Sequence, residues 1–324
     1  MFQDKSILEE LTQLIEQLQL SDSTITFRGE QYAIMPEKAK ESLVNILYSE
    51  CYALKDSYQK GIFSRRKEAM AATSDEFVRL LSESNHSKDK EEQGWQIKNN
   101  YSNGFLEVQK NGQTKTVRYS ELRNLPAGFV PVVGQTVTVC FPKEDKQRQP
   151  SFYYVFSNWP LDLTGKLTRI YWNITSNGAA VLIDNITRKL NHYNIPFLFK
   201  CLNHPDYYFR RDAAVLYIED NMMPMVNLLL PEICTIMSGY LEDDVPLFTY
   251  QYGKGVGIAE SPNTQESFGM NRVGIVAETL IGSMPGEQRP GVLIQQIGAA
   301  FLTKGIQPST PFLNKGSRIL FNKN

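Results

Sequence analysis

The sequence predicts an α+β fold with an N-terminal helical region, an antiparallel sheet region and a mixed α/β C-terminal region. Apolar residues recur at steps of three and four in the first region, and they alternate with polar residues over 95–160. Beyond residue 161 the two patterns are interspersed. We therefore predict a helical region at 1–90 and an α+β domain at 91–324, with its active region at 161–305.

Length and composition exclude several classes of protein. The chain has 324 residues, of which 42% are hydrophobic, so it can bury a large core. Its formal net charge is −1, which leaves no global field to attract nucleic acid or an anionic membrane. The N-terminus lacks a secretory signal, and the sequence contains no run of about 18 apolar residues that could span a membrane. We expect a cytoplasmic protein that binds neither nucleic acid nor membrane.

Neither cysteine nor histidine spacing indicates a metal or cofactor site. The four cysteines are far apart, and the three histidines form no pair at ligand spacing. The glycines around Lys254 lack the spacing of a Walker phosphate loop. The sequence therefore predicts no disulfide framework, no metal and no cofactor.

Three helices are predicted in the N-terminal region. One amphipathic pattern covers residues 1–20, a second begins at Pro36 and continues to Leu54, and a shorter one covers 75–84. The charged segment 86–94 has no apolar anchors, and we interpret it as an exposed linker between the two regions.

The sheet region carries a strong hairpin signal. Asn111 and Gly112 lie between two alternating segments, and both residue types accept positive φ. Two further strands are predicted at 132–141 and 151–159.

In the mixed region, strand and helix patterns follow one another. Strands are predicted at 167–174, 195–202 and 212–219. Helices are predicted at 177–194, 223–241, 267–284 and 291–305, and the second of these is expected to break or begin at Pro231.

Lys200 is the only charged residue in the apolar strand 195–202. Burying an ammonium group is costly. This lysine therefore either extends its charge to solvent or an acidic partner, or it serves a function by binding an anion or losing its proton. The residues alone leave both interpretations open.

Polar and charged side chains are dense immediately after Lys200. They are His204, Tyr207, Tyr208, Arg210, Arg211 and Asp212. Two arginines beside a lysine, with an acid to orient one guanidinium, could bind a phosphate or a carboxylate, because the planar guanidinium binds such anions through two hydrogen bonds. The alternative is an Arg–Asp pair with a purely structural role.

Arg272 is a further candidate anion ligand. Ser267 is a suitable N-cap for the following helix, and the start of that helix, with Arg272 about one turn away, could bind an anion. Alternatively, Arg272 is a solvated helix residue.

Three motifs in this order resemble the HopA family of bacterial type III secretion effectors. They are KCLNHPDYYFRRDAAVLYI at 200–218, PLFT at 246–249 with the glycine-rich GVGIAESP at 255–262, and SFGMNR at 267–272. The resemblance covers roughly 160–305 and implies a HopA-like fold for that region.

The resemblance implies one of two functions. Some family members are effectors delivered into plant cells, whereas others are encoded with small kinases in class V lanthipeptide and thioamide-peptide pathways. Members of the second group are regarded as lyases that remove phosphate from phosphoserine or phosphothreonine. Because the N-terminus has the pattern of an ordered helix and no Ser-rich secretion leader, we favour the second group. The implied partners are a phosphorylated precursor peptide and a Ser/Thr-peptide kinase.

β-Elimination of phosphate requires a base for the Cα proton, cations for the phosphate, and an acid or electrostatic help for the departing oxygen. The resemblance and the residue types together assign these roles: Lys200 as base, His204 or Tyr208 as acid, Arg210, Arg211 and Arg272 as phosphate ligands, and Asp212 as the group that orients an arginine.

A second class of function fits the same residues. A non-catalytic, effector-like protein could use the cationic pocket to bind a phosphorylated ligand or a protein partner, and a member that has lost activity would retain the pocket. Neighbouring genes for a kinase and a precursor peptide would favour the lyase.

Overall fold

The computed structural model describes residues 2, 4–21, 23–55, 73–101, 103–262, 266–283, 289–319 and 321. Within these residues, seven α-helices accompany fifteen strands, which form three antiparallel sheets. The α+β class is confirmed.

The predicted helices are present, with some changes at their ends. The α-helices are α1 (Lys5–Glu16), α2 (Ala39–Leu47), α3 (Asp75–Glu83), α4 (Ser176–His192), α5 (Met223–Met237), α6 (Phe268–Gly282) and α7 (Pro290–Thr303). Helix α2 follows a 3-10 turn at Pro36–Lys38 and continues as a π-helix at Tyr48–Ala53. The first helix ends before residue 20, because Leu18–Leu20 pairs as a strand with Ile25–Phe27.

The strands fall into three groups. A small sheet contains β1 (Leu18–Leu20), β2 (Thr24–Phe27) and β3 (Glu30–Ala33). A five-stranded sheet contains β4 (Lys90–Tyr101), β5 (Phe105–Lys110), β6 (Gln113–Arg118), β7 (Leu122–Arg123) and β8 (Thr136–Phe141). A seven-stranded sheet contains β9 (Glu144–Asp145), β10 (Phe152–Phe156), β11 (Leu167–Trp172), β12 (Phe197–Leu202), β13 (Ala214–Glu219), β14 (Tyr250–Gly253) and β15 (Val256–Glu260).

The hairpin signal is confirmed. Asn111 and Gly112 connect β5 and β6, and their φ values are 50° and 78°. Positive φ at both central residues matches the right-handed twist of the flanking strands.

The segment 86–94 is mostly exposed, as expected, but its second half belongs to a strand rather than to a linker. Strand β4 begins at Lys90, and Ser87 is buried. The segment pairs with β8 through its backbone, which does not require apolar side chains, and Glu92 forms an ion pair with Lys90 at 2.9 Å. Backbone pairing and neutralised charges therefore order a segment whose composition is typical of a linker.

The expected break at Pro231 is wrong. Helix α5 continues through Pro231 from Met223 to Met237. Val226, Leu230 and Ile233 are all buried on the inner side of this helix. Packing on both sides of the proline holds the helix together despite the hydrogen bond that proline cannot donate.

The seven-stranded sheet has the order β14-β15-β11-β13-β12-β10-β9. Apolar residues of this sheet, of the helices around it and of α1 to α3 belong to one large core. The five-stranded sheet has a separate, smaller core around Trp95 and Val108. No helix in the described part of the chain is long and apolar enough to cross a membrane.

Candidate functional site

One face of the seven-stranded sheet carries polar side chains among aromatic ones. Tyr154 lies opposite Lys200 in the pairing of β10 with β12. Tyr217 of β13 lies between Leu198 and Arg169 of the neighbouring strands. Because side chains alternate between the two faces of a sheet, these five residues point to the same side.

Lys200 is half-buried on this face. Its Nζ lies 4.2 Å from the centroid of the Phe152 ring and 5.8 Å from that of Tyr154. It donates a hydrogen bond of 3.3 Å to Oε1 of Gln149. Among the described residues no carboxylate forms an ion pair with Lys200. Its immediate partners are therefore a neutral amide and two aromatic rings.

Two arginines lie around the same rings. The guanidinium carbon of Arg148 is 5.4 Å from the centroid of Tyr154, and that of Arg210 is 6.0 Å from the centroid of Phe152. We call Arg148, Lys200, Arg210, Phe152 and Tyr154 the Lys200 cluster. The cluster concentrates three cationic groups on one face of the sheet, which is an arrangement suited to an anion.

Asp212 fixes the orientation of Arg210. Nε and Nη2 of Arg210 donate hydrogen bonds of 2.7 Å and 2.8 Å to the two carboxylate oxygens. The Tyr48 hydroxyl donates to Asp212 at 3.1 Å and accepts from Arg210 at 3.2 Å. Burial acts to raise the pKa of Asp212, but the charges of Arg210 and Lys200 hold this pKa below its ordinary value. The carboxylate is therefore ionised at neutral pH.

Tyr154 brings a proton donor close to Lys200. Its hydroxyl donates a hydrogen bond of 2.6 Å to Oε1 of Gln149, the oxygen that also accepts from Lys200. Burial raises the pKa of Tyr154 to about 12, so the hydroxyl keeps its proton at neutral pH. An amine and a phenol thus share one acceptor atom.

A cavity of about 650 Å³ adjoins the Lys200 cluster. Tyr154 and Arg148 belong to both the cluster and the cavity wall. We call it the cationic cavity, because its wall includes four basic side chains and two acidic ones. These are Arg148, Lys166, Arg169 and Lys315, with Asp220 and Glu260.

Arg169 stands on the sheet face inside the cationic cavity. Its Nε donates a hydrogen bond of 2.8 Å to Oγ of Ser261, and its guanidinium carbon lies 5.2 Å from the centroid of Tyr217. Burial acts to lower the pKa of Arg169, but Tyr171 and Tyr217 raise it above its ordinary value. Arg169 therefore remains charged, and no carboxylate in the described chain forms an ion pair with it.

Arg272 supports the cavity wall and is 1% exposed. Its Nε donates to the carbonyl oxygen of Pro311 at 2.8 Å, and its Nη2 donates to Oδ1 of Asn314 at 3.1 Å. Asn314 in turn donates its backbone N–H to Glu260 at 2.7 Å. Burial lowers the pKa of Arg272 to about 10, so it stays charged at neutral pH. The structure places Arg272 behind the cavity, where it holds the C-terminal segment, and it is not a solvated helix residue.

Arg211 points away from the Lys200 cluster. It forms ion pairs of 3.1 Å with both Glu10 and Asp244, and it donates to the carbonyl oxygen of Cys51 at 3.2 Å. These contacts tie α1 to the segment before β14. The structure therefore separates the two neighbouring arginines, with Arg210 in the cluster and Arg211 in a structural contact.

Neither candidate acid lies in the Lys200 cluster. The Tyr208 hydroxyl donates to the carbonyl oxygen of Leu202 at 2.9 Å. Burial raises the pKa of Tyr208 well above its ordinary value, with a further contribution from Cys201, whose side chain lies on the sheet face opposite Lys200. His204 caps the short helical turn at Pro205–Tyr207 by accepting the backbone N–H of Asp206 at 3.2 Å.

The sequence reasoning missed Arg148, Gln149, Tyr154 and Arg169. Arg169 had a usable signal, because it is the only charged residue in the strand Leu167–Trp172, just as Lys200 is in its own strand. Arg148 and Gln149 lie in a polar connection before β10 and carry no local signal. Only the pairing of β10 with β12 brings them to Lys200.

A family model described as the HopA1 effector protein family matches residues 143–313. The chain belongs to this family. The match confirms the resemblance expected over 160–305 and extends it at both ends. The matched range includes the whole Lys200 cluster and most of the cationic cavity.

Two solved structures from Pseudomonas syringae are similar to this chain. The effector protein of pathovar tomato strain DC3000 is 17% identical, with a TM-score of 0.47, and the alignment covers 86% of this chain and 99% of that one. The effector protein of pathovar syringae strain 61 is 13% identical, with a TM-score of 0.48, and the alignment covers 97% of this chain and 100% of that one. No curated protein matches the chain.

Proposed function

We propose that this protein is a bacterial, cytoplasmic phosphoserine/phosphothreonine lyase that eliminates phosphate from a phosphorylated precursor peptide. The observation that supports this proposal most directly is that Lys200 and the Tyr154 hydroxyl donate to the same neutral amide oxygen, while Arg148 lies over the Tyr154 ring and Arg210 over the Phe152 ring. A base, a cationic ligand for the phosphate and a proton donor are the groups that β-elimination uses.

In the proposed reaction Lys200 first gives up one proton, and its amine then takes the proton from Cα of the phosphorylated residue. The electron pair of that C–H bond forms the Cα=Cβ double bond. The bond between Cβ and the phosphate oxygen breaks, and phosphate leaves with the bonding pair. The product is dehydroalanine from phosphoserine or dehydrobutyrine from phosphothreonine.

The cations stabilise the negative charge of the departing phosphate. Arg148 is exposed and would contact the phosphate directly, whereas Arg210, whose charge is balanced by its ion pair with Asp212, would contribute a fixed dipole rather than a net charge. The Tyr154 hydroxyl would donate its hydrogen bond to the departing oxygen in place of Gln149. This assignment moves the proton donor from His204 or Tyr208 to Tyr154.

The phosphorylated peptide and the kinase that makes it are the partners this proposal requires. The phosphate must be installed on serine or threonine before elimination, so a Ser/Thr-peptide kinase acts first. The reaction itself needs no redox cofactor, since the electron pair of the C–H bond becomes the double bond and phosphate leaves with the electron pair of the C–O bond.

The test is mass spectrometry of phosphoserine and phosphothreonine peptides incubated with the purified protein. We expect loss of phosphoric acid with the wild type and a rate lowered about 10²–10⁴-fold in Lys200→Met, the usual contribution of a general base. Lys98→Met is a matched control, because Lys98 is an exposed lysine on the five-stranded sheet.

Two results would contradict the proposal in different ways. Equal elimination by the wild type and by Lys200→Met would exclude Lys200 as the base. Binding of the phosphopeptide without loss of phosphate, even with the cognate kinase and precursor present, would instead favour the non-catalytic, effector-like function.

A further inference from the structure

A second cavity, of about 580 Å³, is lined by residues of both the five-stranded and the seven-stranded sheets. Its wall is largely apolar. The apolar and aromatic side chains come from both sheets and from the segment after β10: Phe105, Val117, Phe141, Phe156, Trp159, Leu161, Leu163, Phe197 and Leu198. We call this cavity the apolar groove.

The apolar groove is continuous with the cationic cavity. Arg148, Leu163 and Leu198 line both of them. A chain bound in the groove would therefore pass directly to the Lys200 cluster, of which Arg148 is a member.

Large apolar side chains are exposed along this path. Trp159 is 46% exposed and Leu163 is 50% exposed. The Trp159 indole N–H donates to Oδ1 of Asn194 at 2.8 Å, which holds the ring in place. An ordered, exposed tryptophan beside an apolar groove is typical of a surface that binds a partner.

The acidic side chains around the groove are already neutralised. Glu92 pairs with Lys90 at 2.9 Å. Arg118 pairs with Glu121 at 3.4 Å and with Asp145 at 2.9 Å. Glu92 also pairs with Lys110 at 3.5 Å, so three basic side chains face the three carboxylates, which therefore add little net negative charge to the groove.

Three basic side chains of the groove have no ion-pair partner among the described residues, although Glu92 attracts one of them, Lys115, at longer range. Lys88, Lys115 and Arg148 line the groove, and no carboxylate in the described parts of the chain forms an ion pair with any of them. Lys115 instead lies over the Phe141 ring, with 4.4 Å between Nζ and the ring centroid. The net charge of the groove wall is positive, which favours an acidic ligand.

The groove also runs beside an exposed strand edge. Strand β6 is at the edge of the five-stranded sheet, and Thr116 and Val117 of this strand line the groove. An edge strand presents backbone groups with which an extended peptide can pair. A peptide is therefore the ligand that matches the shape, the apolar wall and the strand edge together.

We infer that the apolar groove binds an extended peptide segment of apolar and acidic residues that neighbours the phosphorylated residue of the substrate. This inference rests on the proposed function, since it takes the Lys200 cluster as the place where the phosphorylated residue is held. The groove selects the substrate, and the cluster performs the reaction.

The test measures binding to the full-length protein by fluorescence anisotropy. The probes are a fluorescein-labelled, unphosphorylated peptide of Leu, Gly and Glu, and the same peptide with Lys in place of Glu. We expect the acidic peptide to bind about tenfold more tightly than the basic one at low salt, with the difference shrinking as salt is added.

Variants of the groove are chosen outside the Lys200 cluster. The double variant Lys88→Gln/Lys115→Gln should weaken binding of the acidic peptide about tenfold, and Trp159→Ala should weaken it by a similar factor. Lys98→Gln is the matched control and should leave the affinity unchanged. Circular dichroism of each variant identifies any loss of folding.

The outcomes separate this inference from the proposed function. Equal affinity for the two peptides, or an unchanged affinity in the folded double variant, would overturn the inference even if phosphate is eliminated. Tight, charge-dependent binding of the acidic peptide together with no elimination from any phosphopeptide would support the groove and contradict the lyase.

Discussion

Replacing Asp212 with asparagine tests the buried ion pair that orients Arg210. The two side chains are only 7% and 8% exposed, and two hydrogen bonds of 2.7 Å and 2.8 Å join them. Asparagine has nearly the same shape but no charge, so Asp212→Asn would leave the guanidinium buried without a counter-charge.

The expected cost follows from this geometry. Removing one partner of a buried pair costs about 3–5 kcal/mol. Because asparagine still offers one acceptor oxygen to Arg210, we expect the free energy of unfolding to fall by about 3 kcal/mol, the lower end of this range. Replacing both partners, as Arg210→Met/Asp212→Leu, should cost less than the sum of the single replacements, since no charge is left buried.

Urea unfolding followed by circular dichroism measures these differences. The control is Glu9→Gln, which removes an exposed pair of 3.6 Å with Lys5 whose side chains are 90% and 61% exposed. Exposed pairs of this kind contribute about 0.5 kcal/mol or less. A loss of less than about 1 kcal/mol of unfolding free energy in Asp212→Asn would refute the reasoning, because the buried pair would then contribute no more than an exposed pair does.

The pH dependence gives a second check on the same residue. The pKa of Asp212 is lowered in the folded state, so the pair stabilises the protein above the unfolded-state pKa of about 3.9. This stabilisation is lost as the pH falls through the lower, folded-state pKa. The difference in stability between wild type and Asp212→Asn should therefore shrink in strong acid. A constant difference at all pH values would contradict this assignment.

Three further perturbations have defined outcomes. Gly269→Ala places a methyl group 2.5 Å from the buried ring of Tyr52. This overpacking should lower the free energy of unfolding, measured in urea, by about 1–3 kcal/mol. Burial raises the pKa of Glu260, so ionisation of this side chain opposes folding. Thermal unfolding should therefore show Glu260→Gln becoming more stable than the wild type as the pH rises above 4.5. Arg272→Met removes the donors that hold Pro311 and Asn314, and faster proteolysis near these residues should report a loosened C-terminal segment.

Local patterns predict the elements of this fold well. The helices have apolar residues at steps of three and four, and this spacing depends only on near neighbours in the chain. The hairpin at Asn111 and Gly112 follows from the positive φ that these residues accept. The order of segment 86–94 is not predicted, because it comes from pairing with the distant strand β8 and not from near neighbours in the chain.

The candidate site is predicted in part. Lys200 stands out because a single charge in an apolar strand needs an explanation, and Asp212 does lie beside Arg210 as expected. Arg211 is adjacent to Arg210 in sequence but reaches Glu10 and Asp244 on the other side. No short-range pattern distinguishes these two arginines, since the direction of each side chain is set by the elements packed around it.

Residue types and spacing were enough to predict the α+β class and the family resemblance and to single out Lys200 as a candidate residue. The tertiary structure alone decided which groups surround that lysine. The sheet order β14-β15-β11-β13-β12-β10-β9 brings Arg148, which precedes β10, to the Tyr154 ring that Lys200 also approaches, and Arg210 lies near the Phe152 ring. Strand order depends on packing between segments that are distant in the chain, and local sequence patterns carry no record of those contacts.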